Sequence, residues 1–329
     1  MQKALTLSVL SDVHYAGAAE RQRVNFLYEG VQSAAMRCML KLYRRYIWLH
    51  KPFAHNHLLD EFIMSNKDSD FCVANGDYSC DSGFIGVSDD AACASALECL
   101  AKLRARFGSK FQATFGDHEI GKTMMGGHCG GLRLQSLKRA QQELQLQTLW
   151  QVEFGSYLLI GITSTLLAYP IYEPEALPDE RVEWRSVRAE YLCSLAQTFA
   201  AIRSNQRVLL FCHDPTALPF LIQVPEVAAK LDQIERTILG HLHSPLVFFK
   251  SRLLAGMPAI TFLGHTPLRL SQALRQARHW NAFKPLLCPS LAGIELLKDG
   301  GFYTVKLDPT GQQPAEFRLH QFRKLLKNL

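Results

Sequence analysis

Five short apolar runs in this 329-residue chain stop abruptly at aspartate or histidine. Residues 5–10 run into Asp12-Val13-His14, residues 71–74 into Asn75-Gly76-Asp77, and residues 111–115 into Gly116-Asp117-His118-Glu119. Residues 208–212 end at His213-Asp214, and residues 237–239 at Gly240-His241-Leu242-His243. Runs of this length, rich in branched and aromatic residues and bounded by polar ones, predict buried strands. Helical patterns at 22–49, 89–107 and 181–201 alternate with them, which predicts an α/β layered fold. Open α/β sheets place ligands at the carboxyl ends of their strands, so five ends would deliver their Asp and His to one rim. Further runs at 157–162, 259–263, 294–297 and 302–307 predict four more strands, the last two paired antiparallel across a turn at 298–301.

The residue types narrow the chemistry. Asp12, His14, Asp77, Asp117, His213, His241 and His243 combine carboxylate with imidazole, a donor set suited to Mn, Fe or Zn. Seven donors exceed what one ion needs and fit two ions if one carboxylate bridges. Residues two apart on an extended segment share a face, so Asp12 with His14, and His241 with His243, would each grip from one side. The nine cysteines are scattered and form no C-x-x-C pair, which disfavours a thiolate zinc site and predicts reduced thiols. Residues 1–11 lack the pattern of an export signal, and the longest largely apolar run, 157–169, is too short to cross a bilayer. A cytoplasmic location is the expectation.

A competing motif overlaps the third strand end. Residues 116–123 match G-x-x-x-x-G-K-[ST], the phosphate-binding loop of nucleotide hydrolases. That loop must open a helix, whereas residues 124–131 contain four glycines and form helix poorly. Asp117 and Glu119 inside it would repel phosphate, and His213, His241 and His243 would be left without a role. Lys122 remains a candidate phosphate contact.

Composition is that of a globular protein, 48% hydrophobic and 20% charged, which excludes a disordered or fibrous chain. The net charge of +6 is unevenly placed: residues 30–59 carry +5 and residues 318–329 carry +4, both without an acid, leaving −3 on the remainder. A uniformly basic nucleic-acid coat is therefore not expected. Arg37, Lys41, Arg44 and Arg45 recur at helical spacing beside Met36, Met39, Leu40, Tyr43, Tyr46 and Ile47, with Trp48 and Phe53 following. That pattern suits either a membrane-surface or amphiphile-binding element or an ordinary crossover helix. The tail repeats it weakly and reads as an ordinary packed segment. No repeat or long linker divides the chain, so residues 1–329 are expected to form one domain, with insertions near 24–66 and 244–290.

The ordered set Asp-x-His, Gly-Asp, Gly-Asp-His-Glu, a single His, then Gly-His-x-His resembles the calcineurin-like metallophosphoesterases along the whole chain. That resemblance implies a four-layer αββα sandwich with two divalent metal ions, Mn first and Fe or Zn next. Asp12, His14 and His243 would hold one ion, Asp117, His213 and His241 the other, and Asp77 would bridge. His118 would act as general acid or stabilise transition-state charge, and Glu119 would orient His118. The family usually has Asn where this chain has Asp117. Paired ions lower the pKa of water and clamp phosphoryl oxygens, so no side-chain nucleophile is needed.

With its basic aromatic segment, the chain is also similar to the longer, chlamydial-type UDP-2,3-diacylglucosamine pyrophosphohydrolases of lipid A biosynthesis. The reaction this implies yields UMP and 2,3-diacylglucosamine 1-phosphate. The substrate would be a lipid-linked nucleotide, met at the membrane surface, with Lys122, Arg37, Lys41, Arg44, Arg45 and Trp48 as its candidate contacts. No nucleic-acid or protein partner is implied. Two alternatives stay open: a phosphodiesterase or nuclease of the same fold, and a scaffold that has lost its metals.

Overall fold

The computed structural model describes residues 4–23, 28, 31, 33–80, 82, 84–124, 129–261 and 265–322. Its strands are β1 (Leu5–Leu10), β2 (Phe71–Asn75), β3 (Phe111–Thr114), β4 (Leu149–Phe154), β5 (Tyr157–Ile162), β6 (Arg207–Cys212), β7 (Ile234–Leu239), β8 (Pro285–Leu287), β9 (Gly301–Leu307) and β10 (Glu316–Gln321). They form two mixed sheets, ordered β10-β9-β1-β2-β3 and β4-β5-β6-β7-β8. Within them β1, β2 and β3 run parallel, as do β5 to β8.

Alternation along each strand explains the layering, because successive side chains leave on opposite faces. Leu7 and Val9, Phe71 and Val73, Tyr157 and Leu159, and Leu209 and Phe211 meet in one buried cluster with Trp150, Ile238, Val305 and Leu307. Their neighbours Leu10, Cys72, Ala74, Leu158, Ile160, Val208 and Leu210 belong instead to the cluster shared with the helices. Helix residues Cys99, Leu103, Trp184 and Phe199 join that second cluster. The result is an α/β sandwich with helices on both outer sides, as expected. Gly161 interrupts an otherwise apolar strand because Trp150, directly opposite, occupies its space; a Cβ there would fall 2.1 Å from the indole.

The helix nearest the site in the segment between β1 and β2 is α1 (Ala34–Tyr46), whose following residue Trp48 packs on His243. Among the described residues no helix is long and apolar enough to cross a membrane.

Several sequence expectations are corrected. Residues 294–297 form a turn, not a strand, because Glu295 and Leu296 donate their N–H groups to Trp48 and Ile47 carbonyls. The antiparallel pair at the C-terminus is β9 with β10. Residues 259–261 are irregular, and the rest of the strand expected there lies outside the described residues. Strands β4, β8 and β10 lie outside the apolar runs: β4 and β10 alternate with exposed polar residues, and β8 is only three residues long and opens on Pro285. The helix expected over 22–49 is α1 alone; residues 24–27, 29–30 and 32 lie outside the described residues. In the tail, Arg318 and Leu319 belong to β10 and Phe322 is buried, while Arg323, Lys324 and Lys327 lie outside the described residues.

Candidate metal centre

The main chain builds the site before any side chain does. Beyond the end of β1, the N–H groups of Asp12, His14 and Tyr15 donate to the carbonyls of Gly76, Asp77 and Tyr78, extending the β1–β2 pairing through both motifs. Ser11 Oγ donates to Asp12 and to the Asn75 carbonyl, and Asn75 Nδ2 reaches the Ile238 carbonyl of the opposite sheet at 3.3 Å. The His241 N–H donates to both Asp12 carboxylate oxygens at 3.0 and 3.1 Å. The strand ends of the two sheets are thus tied to each other at one rim.

Of nine non-glycine residues with positive φ among the described residues, five are Asp12, His14, Asp77, His241 and His243. Asp and His tolerate this left-handed region better than most residues, yet it still costs energy and persists only where the surroundings enforce it. The neighbouring glycines are set by close approach. A Cβ at Gly116 would lie 2.1 Å from Asp77 Oδ1, and one at Gly240 would lie 2.1 Å from Ser11 Oγ.

All seven expected ligands converge. Asp77, Asp117, His213 and His241 offer one set of donor atoms within 4.8 Å of one another, and Asp12, His14 and His243 offer another. A third set, His14, Asp77 and His118, joins them. Asp117 Oδ1 lies 3.2 Å from His213 Nε2 and 3.0 Å from His241 Nδ1. His14 Nε2 and His243 Nε2 face each other at 3.0 Å, with Asp12 Oδ1 3.3 Å from the latter.

The donor set fits divalent ions on grounds internal to the site. Asp77 Oδ2 is buried without a hydrogen bond of its own, with His213 Nε2 and His118 Nε2 at 3.2 and 3.6 Å. Two imidazole nitrogens pointed at each other beside a carboxylate leave lone pairs that a cation satisfies. Burial drives His14 down to about 4 and His243 well below the ordinary range, leaving both neutral and competent to ligate. Burial opposes charge on His213 and His241 too, yet Asp77 and Asp12 hold His213 well above its ordinary value and Asp117 brings His241 up to about 9. The carboxylates of the cup thus favour the charged form of His213 and His241, while burial keeps His14 and His243 neutral.

His118 is buried and neutral, pushed down to about 3 by desolvation against the pull of Asp77. Its Nδ1 meets the Ser79 carbonyl at 3.2 Å and its Nε2 meets Lys122 Nζ, which also pairs with Asp117 Oδ2 at 3.1 Å. Glu119 does not touch the His118 ring, contrary to expectation. Its carboxylate accepts from the N–H groups of Gly116, Asp77 and Tyr78, clamping two motif loops together. The Asp117–Ile120 segment is a single helical turn ended by Gly121 at φ +102°, and among the described residues that follow, Lys122 to Met124 are not helical, with Thr123 bridged to Gly130.

The remaining candidates divide. Trp48 packs on His243, and Tyr43 stacks on Trp48 with ring centroids 6.3 Å apart. Helix α1 rests on Leu40, which is buried with Val31 and Met124, just beyond the Gly116–Thr123 motif. Arg37, Lys41 and Arg45 are exposed, whereas Arg44 is half-buried. The apolar side of α1 is largely uncovered: Met39, Leu42 and Tyr46 are 53–58% exposed. Ser11 and Asn75 are structural supports that residue type and spacing did not single out, and Glu119, expected beside His118, is a support for the main chain of the loops.

No family model and no curated protein matches the chain. Among solved structures, a dimetal phosphatase from Danio rerio is 14% identical, with a TM-score of 0.45 over 96% of this chain and 95% of that one. A purple acid phosphatase from yellow lupin seeds is 10% identical, with a TM-score of 0.42 over 99% of this chain and 55% of that one. A conserved uncharacterized protein from Streptococcus pneumoniae, described as a predicted phosphoesterase, is 10% identical with a TM-score of 0.30 over 97% of this chain and 100% of that one. These likenesses are remote, and what the site can do rests on its own side chains.

Proposed function

We propose that this chain is a metal-dependent phosphoester hydrolase whose substrate is a lipid-linked nucleoside diphosphate, UDP-2,3-diacylglucosamine, cleaved to UMP and 2,3-diacylglucosamine 1-phosphate. The observation that carries the hydrolase reading is the gathering of three Asp and four His donors into two adjoining sets at one rim. Asp12, His14 and His243 would hold one divalent ion, Asp117, His213 and His241 a second, and Asp77 both. Mn is the metal proposed, with Fe and Zn compatible with the same donors. Bound there, two such ions supply Lewis acidity toward phosphoryl oxygens and lower the pKa of water.

The chain's own groups do the rest. His118 and Lys122 place an imidazole and an ammonium beside Asp77 and Asp117, where the pair can meet developing charge and the Lys122 ammonium, held by His118, can protonate a leaving oxygen. Helix α1 supports the lipid part of the reading. It exposes Met39, Leu42 and Tyr46 beside Arg37, Lys41 and Arg45, contains no acid, and is joined to the cup through Trp48. An apolar and basic surface of this kind suits acyl chains and an anionic bilayer, so peripheral membrane contact belongs to the same proposal.

The test is an assay of purified protein with Mn²⁺ on UDP-2,3-diacylglucosamine. Release of UMP is the expected result. Cleavage of other phosphodiesters without UMP release would remove the substrate assignment and leave the hydrolase; no hydrolysis of any ester with full metal occupancy would remove both.

A further inference from the structure

Residues 236–294 contain no Asp or Glu, so an arginine of this stretch that is withdrawn from water must find its acid elsewhere in the chain. Arg269 does so. It lies on helix α2 (His265–Gln276), and its Nη1 donates to Glu175 Oε1 at 2.6 Å. The Glu175 side chain is shut off from solvent, and that of Arg269 is only 22% exposed. The guanidinium also lies over the ring of Tyr172, 5.7 Å from its centroid, and the Tyr172 hydroxyl donates to Asp214, the residue after His213.

The second carboxylate oxygen of Glu175 says what the ion pair holds. Oε2 accepts the N–H of Thr123 at 2.8 Å, and the Glu175 carbonyl accepts that of Leu132 at 3.1 Å. A Cβ on Gly131 would fall 2.2 Å from the same carbonyl oxygen, so the loop leaves and returns along one residue. Lys122, directly before Thr123, has neither helix nor strand to fix its main chain, and its own N–H goes to the Phe84 carbonyl at 3.2 Å. Lys122 Nζ then reaches Asp117 Oδ2 at 3.1 Å and His118 Nε2. One buried carboxylate thus grips the loop that carries the ammonium beside the cup, and Arg269 keeps that carboxylate charged and in place. Hydrogen bonds to an ionised acceptor are stronger than neutral ones, and removing one partner of an enclosed pair strands the other.

We propose that Arg269 is a positioning residue: through Glu175 it fixes the Thr123 backbone and so sets the Lys122 ammonium where it can give its proton to a leaving oxygen. Water supplies the new P–O bond. As the old one breaks, its electron pair goes to the leaving oxygen, which takes the ammonium proton, and Lys122 is left neutral until solvent returns a proton. The proposal rests on the hydrolase reading above and assigns the support of its proton donor to the insertion that carries α2. Loss of Arg269 is then felt by esters whose leaving group needs a proton, and far less by those whose leaving group does not.

The test compares wild type with Arg269→Met, Arg269→Lys and Lys122→Met, each loaded with Mn²⁺, on diphenyl phosphate and on bis(4-nitrophenyl) phosphate. Phenolate is the poorer leaving group and gains more from a proton. Arg269→Met should lower kcat on diphenyl phosphate by about 10- to 100-fold, the worth of a lost charge-assisted contact, and on bis(4-nitrophenyl) phosphate about tenfold less. Arg269→Lys should recover part of the loss, metal content should stay as in wild type, and Lys122→Met should show the same imbalance between the esters. A second readout needs no turnover: acetic anhydride labelling of the metal-free protein, read by mass spectrometry. In Arg269→Met, labelling of Lys122 should rise about tenfold relative to Lys230, whose ammonium donates to the Ile202 carbonyl elsewhere in the chain. Equal losses on both esters, or unchanged Lys122 labelling, would overturn the proposal. If Arg269→Met does not fold, Arg269→Gln, which keeps a polar end without the charge, carries the same comparison. An active wild type in which Lys122→Met treats both esters alike would remove the proton donor and the proposal with it. A wild type that hydrolyses neither ester with its metal bound would remove the hydrolase reading itself.

Discussion

The indole of Trp48 lies against the imidazole of His243, with ring centroids 4.6 Å apart and planes 31° from parallel. A residue from the segment between β1 and β2 thus covers a side chain from the end of β7. Filling the cup with a paramagnetic ion should quench Trp48 emission. In Trp48→Phe most of the Mn²⁺-induced quenching should vanish while two ions still bind per chain. Persistence of the quenching would mean that it arises from Trp150, Trp184 or Trp280, which are buried elsewhere.

Among the described residues, Asp77 is the carboxylate that belongs to two donor sets, one with Asp117, His213 and His241 and one with His14 and His118. Asp77→Ala should therefore lower metal content at both positions together, with activity falling to background. Elemental analysis of the purified variant after dialysis checks this. Retention of two tightly held ions would show that Asp77 does not bridge.

His118 sits within reach of Asp77 Oδ2 but takes its main contacts from Ser79 and Lys122. His118→Ala should spare metal stoichiometry and reduce kcat by roughly 10²–10⁴-fold, the usual worth of a positioned acid. Loss of metal in place of loss of rate would reassign His118 from catalysis to ligation.

Glu119→Gln tests the clamp between the motif loops. The amide would set its NH₂ group against one of three backbone N–H donors that now point at carboxylate oxygens. A cost of about 1–3 kcal/mol is expected for an unsatisfied buried donor. Thermal unfolding should show a lowered Tm, and Mn²⁺ affinity should fall although no ligand has been changed. A variant with unaltered Tm and affinity would show that the loops hold without Glu119.

How much of this could be read beforehand depends on the range of the interaction concerned. Strands β2, β5 and β6 stand out because burial on both faces demands near-continuous apolar runs. Edge strands β4 and β10 alternate with solvent and merge into loop-like sequence. The run at 294–297 looks like a strand locally but spends its N–H groups on Trp48 and Ile47, a pairing that no local pattern announces.

The seven donors could be named from residue type and strand endings, since few side chains ligate divalent ions and short apolar strands must end somewhere. Bringing them together is a different matter. His241 reaches Asp117 and Asp12 across 124 and 229 residues of chain, through parallel registers in two sheets and the packing between them. Five of the seven also need a left-handed backbone that only those long-range hydrogen bonds enforce. Arg44 is the sharpest case. Helical periodicity groups it with Arg37 and Arg45, and only the seating of α1 against the rest of the chain half-buries it and leaves the others in water.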